Sequence, residues 1–146
     1  MEDGNFSKAE QEAIKERAAE LKASKGRKKK TREDAQLEVL EKISDMPEVD
    51  KKIALGLHKI VMEQFENLWP RVWYGMPAYT LDGKVLLFLS VSSKWDTRYS
   101  TLSFEDKANL DDGEMWPTGF AITSWNSEVG KTVQELISKS LAQPQS

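Results

Sequence analysis

An α+β fold is what this sequence predicts: an antiparallel sheet of about four to five strands packed with N- and C-terminal helices, plus a loosely attached N-terminal helix. Three features carry that expectation. Apolar residues recur at 3- and 4-residue steps as far as Leu68, then change to strand-like runs after Pro70. Asp82-Gly83 separates two of those runs, and the helical period returns after Asn126. With 146 residues, 39% apolar and 31% charged, the chain has material for one packed domain and an appendage.

Taken in order, Ser7-Lys8-Ala9-Glu10 has capping-box spacing, and the Ala-, Glu- and Lys-rich residues 8–24 favour helix by propensity. Near one face this helix carries only Phe6, Ile14 and Leu21 as large apolar residues, which predicts loose docking and mobility, with Gly26 ending it. A second helix should start near Thr31 to Asp34 and run to about Ser44, with Leu37, Leu40 and Ile43 on its stripe. Asp45-Met46-Pro47 breaks it, because proline is tolerated only in the first turn of the helix that follows. That third helix, about 47–67, is the principal core helix, with Val49, Ile53, Leu57, Ile60, Val61, Phe65 and Leu68 in register. His58 lies at the border of this stripe. With no second His and no Cys to join it, a hydrogen-bonded boundary histidine is expected in preference to a metal ligand.

Pro77 to Leu81 and Val85 to Val91 flank Asp82-Gly83, a two-residue connection suited to a type I′ hairpin that needs positive φ. Val85 to Leu89 are apolar at consecutive positions, so both faces of that strand should be covered. Residues 98–104 and 118–123 supply a third and a fourth strand, with a loop or short helix over Glu105 to Leu110. Asn126 is the expected N-cap of a closing helix through about Leu141, striped by Val129, Val133, Leu136, Ile137 and Leu141. The chain thus divides into residues 1–32, a helix and basic linker, an α+β domain over 33–142, and a tail at 143–146.

Charge divides along the same line. Residues 1–34 hold ten basic and eight acidic side chains, whereas residues 35–146 hold eleven and sixteen, so the body is acidic. Lys25, Arg27, Lys28, Lys29, Lys30 and Arg32 form a run without an acid, read as a solvated linker or, alternatively, a contact for nucleic acid or another polyanion. The acidic body argues against nucleic acid as the partner. Absence of Cys removes disulfides, Cys-based zinc or iron–sulfur sites and thiol catalysis. No apolar leader and no membrane-length apolar window are present, which predicts a soluble, cytoplasmic protein without a membrane partner.

Two constellations could carry function. Asp106, Asp111, Asp112 and Glu114, with Glu105, place carboxylates around an Asp-Asp-Gly turn; hard cations take several oxygen ligands, but the spacing is not that of an EF-hand and a solvated acidic turn is the plain alternative. Trp73, Tyr74, Tyr79, Tyr99 and Trp116, with Trp95, Lys94, Arg98 and Lys107, combine flat apolar surface with polar tips and charge. Such residues form a core or line a small-molecule cleft. No nucleophile elbow, P-loop or dinucleotide fingerprint is present, so a catalyst using Asp111 or Asp112 as base beside Arg98 or Lys94 is the minor alternative to a non-catalytic binding protein.

The blocks Trp73-Tyr74-Gly75-Met76-Pro77-Ala78-Tyr79, Gly83-Lys84-Val85, Lys94 with Thr97-Arg98-Tyr99-Ser100-Thr101-Leu102, Asp106-Lys107-Ala108-Asn109-Leu110-Asp111-Asp112-Gly113 and Met115-Trp116-Pro117-Thr118 closely resemble the YdhG-like bacterial proteins of unknown function. The likeness spans about residues 35–142, and Glu16 to Lys22 with the Lys-rich linker resembles the longer actinobacterial-type members. It implies a compact α+β domain with helices against an antiparallel sheet. Some members are described as frataxin-like intracellular iron chaperones; carried over, that implies iron or another divalent metal as cargo, with Asp106, Asp111, Asp112 and Glu114 as ligands. Trp95 departs from the residue expected there.

Overall fold

The computed structural model describes residues 7–25, the last five of them as backbone only, and residues 31–142. The elements run α1 (Lys8–Lys25), α2 (Arg32–Ser44), α3 (Glu48–Gln64), β1 (Leu68–Trp73), β2 (Met76–Leu81), β3 (Lys84–Ser90), α4 (Ser92–Trp95), β4 (Ser100–Phe104), β5 (Gly119–Ile122) and α5 (Ser127–Leu141). The five strands form one antiparallel meander in the order β1-β2-β3-β4-β5, so the fold is α+β.

Local chemistry sets most boundaries. Thr31 and Asp34 close a reciprocal capping box at the start of α2, and the Asn126 side chain accepts from Val129 N at 2.8 Å to start α5. Asp82 and Gly83 both have positive φ (51° and 84°), as the type I′ turn requires. A second two-residue hairpin joins β1 to β2 through Tyr74 (φ 52°) and Gly75 (φ 74°), with Trp73 opposite Met76.

Strand alternation sorts the side chains onto two faces. Tyr79, Leu87, Leu89, Leu102 and Phe104 share one face, since Tyr79 pairs with Leu87, Leu87 with Phe104 and Leu89 with Leu102. They pack with Val39 and Ile43 of α2, with Ile53, Leu57 and Val61 of α3, and with Val133 and Ile137 of α5 to make the main core. Trp73, Met76, Ala78 and Phe88 belong to the opposite face, where α1 lies against β1 and α4.

Several expectations shift. In α2 the buried stripe is Ala35, Val39 and Ile43, while Leu37 is 62% exposed: the helix is turned so that small and β-branched residues meet the sheet. Val49 stands at the outer side of the first turn of α3, 56% exposed, and Leu68 is buried as the first residue of β1, not as part of a helix. The strand β1 contains Pro70. Because β1 is an edge strand, the missing N–H costs no ladder bond on its free side.

The first helix meets the body mainly through polar groups. Among its described side chains only Ala13 is buried, and Ile14 is 45% exposed, yet polar contacts tie the helix down. Glu20 accepts from the backbone N–H groups of Tyr74 and Gly75, and Glu16 pairs with Lys42 and Lys94.

Candidate ligand-binding site

Between α1 and the second face of the sheet runs an open cleft of about 490 Å³. Trp73, Tyr74, Met76, Phe88 and Trp95 line its body side; Ala13 and Ile14 face them from α1, with Ser90 and Glu10 as polar members. Trp73 anchors the wall, meeting the rings of Tyr74 (4.9 Å, 79°) and Phe88 (5.2 Å, 65°) edge to face. Such a surface removes apolar area of a ligand from water while keeping a fixed shape.

The far wall is set by a buried carboxylate. Asp50, in the first turn of α3, accepts from Ser92 Oγ at 2.9 Å and from Ser93 N at 3.0 Å. It thereby caps the four-residue α4, which ends at Asp96 in the left-handed conformation (φ 55°). That short helix delivers Lys94 and Trp95. The Nε1 of Trp95 is buried and has no hydrogen-bond partner, a donor that a ligand acceptor could satisfy.

At the rim, Lys94 Nζ donates to the Tyr74 carbonyl at 2.8 Å and to Glu16 Oε1 at 2.9 Å. Lys42 binds the other oxygen of Glu16. Burial opposes the charged form of Glu16, but hydrogen bonds from Lys42 and Lys94, with their positive charge, outweigh it and hold the carboxyl below its ordinary value. The guanidinium of Arg17 lies over the Tyr74 ring, 5.7 Å from its centroid. Burial and the charge of Arg17 lower the Arg71 guanidinium, against the opposing pull of Glu20.

The aromatic set proposed from sequence therefore splits. Trp73, Tyr74 and Lys94 reach the cleft and its rim. Tyr79 does not: it is fully buried in the main core, where its hydroxyl donates to His58 Nδ1 at 2.9 Å, and burial pushes its phenol far above the ordinary value. Trp116 packs half-buried against that core, and Tyr99 lies under the exposed Arg98 at 5.2 Å on the connection between α4 and β4. Met76, Phe88, Ala13, Ile14, Glu16 and Glu20 were not legible as site residues. Only strand parity, counted from the Trp73–Met76 hairpin, could have placed the first two with Trp73.

Asp106, Asp111, Asp112 and Glu114 are exposed along the connection between β4 and β5. Among the described residues no three His, Cys, Asp or Glu side chains are grouped so that they could hold a metal ion. Lys94 is committed to Glu16, and Arg98 to the Tyr99 ring. Within the basic run, Arg27, Lys28, Lys29 and Lys30 and the side chain of Lys25 lie outside the described residues. Arg32 has a different task from polyanion binding: its guanidinium donates to the carbonyls of Leu68 (2.8 Å), Phe65 (3.0 Å), Val61 (3.3 Å) and Met62 (3.4 Å), closing the C-terminal end of α3.

Compared with protein-family models, curated proteins and solved structures, the chain matches none of them. Fold and site define its class: an α+β protein with its core helices on one face of a five-stranded meander and an aromatic cleft on the other. Among the described residues no helix is long and apolar enough to cross a membrane.

Proposed function

We propose that this is a non-catalytic binding protein that holds a small, largely apolar molecule in the cleft between α1 and the sheet. One observation carries the reading: five large apolar or aromatic side chains of the body face α1 across open space beside the unpartnered indole N–H of Trp95. A YdhG-like identity, supported by the ordered residue blocks, and a cytoplasmic home belong to the same proposal. Iron as cargo is the second reading: Asp106, Asp111, Asp112 and Glu114 are all exposed, whereas the cleft offers a walled apolar space.

The neutral fluorophore N-phenyl-1-naphthylamine tests it directly. Its emission should rise and shift to the blue on titration with the protein, and Ser90→Phe, which fills the cleft from its sheet side, should abolish the response without lowering the melting temperature. A Ser90→Phe protein that binds the probe as tightly as the parent would sink this reading.

A further inference from the structure

The Tyr74-Gly75 turn is built as a carboxylate receptor. Both residues are left-handed, and their consecutive N–H groups grip the two oxygens of one carboxylate, Tyr74 N to Glu20 Oε1 at 3.2 Å and Gly75 N to Glu20 Oε2 at 3.1 Å. Consecutive amides turned to one side form a small anion-binding concavity. A side chain at position 75 would close it, since a Cβ there would fall on Lys94 Nζ and the Glu16 carboxyl group. Around the turn the body supplies Lys42, Lys94 and Arg71, and the carboxylates that meet them, Glu16 and Glu20, both come from α1.

Two further observations bear on what belongs there. Among its described side chains the first helix buries only Ala13 and meets the turn through these charges and through Arg17 over the Tyr74 ring, so its hold on the turn is of a kind that another carboxylate can match. The turn also adjoins the cleft: Tyr74 contributes its N–H to the receptor and its ring to the apolar wall, and Lys94 is followed in α4 by Trp95 with its free indole N–H.

Building on the small-molecule reading above, we infer that the ligand is an amphipathic carboxylic acid whose apolar or aromatic tail lies in the cleft and whose head takes the place of Glu20 on the Tyr74 and Gly75 amides, beside Lys94. Glu20 is then an internal competitor that keeps the head-group site satisfied when no ligand is bound. The charge balance supports a small acid over a neutral compound: displacing Glu20 leaves two N–H groups and the guanidinium groups of Arg17 and Arg71 without their carboxylate, which an anionic head restores.

The test compares 1-naphthylacetate with 1-naphthylacetamide, which share a tail and differ in head-group charge, by calorimetry and by following the backbone amide signals of Tyr74 and Gly75. The acetate should bind about tenfold more tightly than the amide and shift both signals, as one charged head-group contact is worth that factor. Glu20→Gln should raise the acetate affinity several-fold and by more than it changes the affinity for the amide, and Lys94→Met should erase the preference for the acid. Equal affinity for acid and amide, with the neutral fluorophore still bound, would overturn the carboxylate assignment alone. Failure of all three compounds would overturn the cleft reading with it. Displacement of Glu20 by a glutamate-rich peptide while naphthylacetate stays silent would assign the receptor to an acidic protein partner and reject the small acid.

Discussion

His58 is held neutral by everything around it. With the oxygen of Gln36 facing Nε2 at 3.1 Å and the Tyr79 hydroxyl facing Nδ1 at 2.9 Å, the tautomer carrying its proton on Nε2 satisfies both partners. Burial, reinforced by the nearby charge of Arg32, pulls its pKa from 6.5 to about 4. Between those values the unfolded chain takes up a proton that the folded protein refuses, so the contribution to stability is complete above the unfolded value and is lost as pH falls toward the folded one. Urea titrations at about pH 7 and about pH 5 should therefore differ by about 1–2 kcal/mol, with the lower pH less stable, and His58→Gln should flatten the difference. A lone histidine on a helix border was legible as a hydrogen-bonded group; its partners Gln36 and Tyr79 were not, because they come from other elements. Arg32 makes the same point more sharply. In sequence it is the last member of a basic run, and nothing in that run marks one guanidinium as the cap of a helix that ends more than thirty residues later.

Helix α3 is the element on which the rest is aligned, and a glycine decides how close α5 can come. A Cβ at Gly56 would overlap the Trp125 indole, which also lies against Gly130 of α5. Alanine in a helix interior ordinarily gains about 1 kcal/mol over glycine, but overpacking a filled core costs about 1–3 kcal/mol, and here the rigid indole has little freedom to yield. Gly56→Ala should thus destabilise the protein by about 1–2 kcal/mol in chemical denaturation, and a stabilised variant would contradict the packing described. The periodic signals of α3 and α5 and the Asp82-Gly83 hairpin were legible because they depend on local spacing. The strand β1 was hidden by Pro70, which reads as a breaker unless the strand is known to lie at an edge, and α4 by its dependence on Asp50, forty-two positions away.

The body and the first helix are joined by chemistry of different kinds. Apolar burial holds α2, α3, α5 and the sheet together, whereas Glu16 and Glu20 hold α1 to Lys42, Lys94 and the Tyr74-Gly75 turn. Salt screens the second kind far more than the first. Amide hydrogen exchange across α1 should accelerate several-fold when about 0.5 M sodium chloride is added, while the amides of α3 keep their protection; equal response of both helices would show that α1 is held by something other than charge. The candidate site was half legible for a related reason. Trp73 and Tyr74 stood out by composition, but Tyr79 carries the same signal and points into the core, because alternation along β2 sends it to the other face.

Asp50 ties the far wall of the cleft to the first turn of the core helix, so the two sides of that cleft have different fates on heating. The Trp95 side persists until the core itself melts, since α4 is capped from within α3. The Ala13 side departs with α1, whose described contacts with the body are chiefly polar and ionic. Binding capacity should consequently fade over a temperature range in which the circular dichroism of the body is still native, and a ligand that spans both walls would bring the two transitions together.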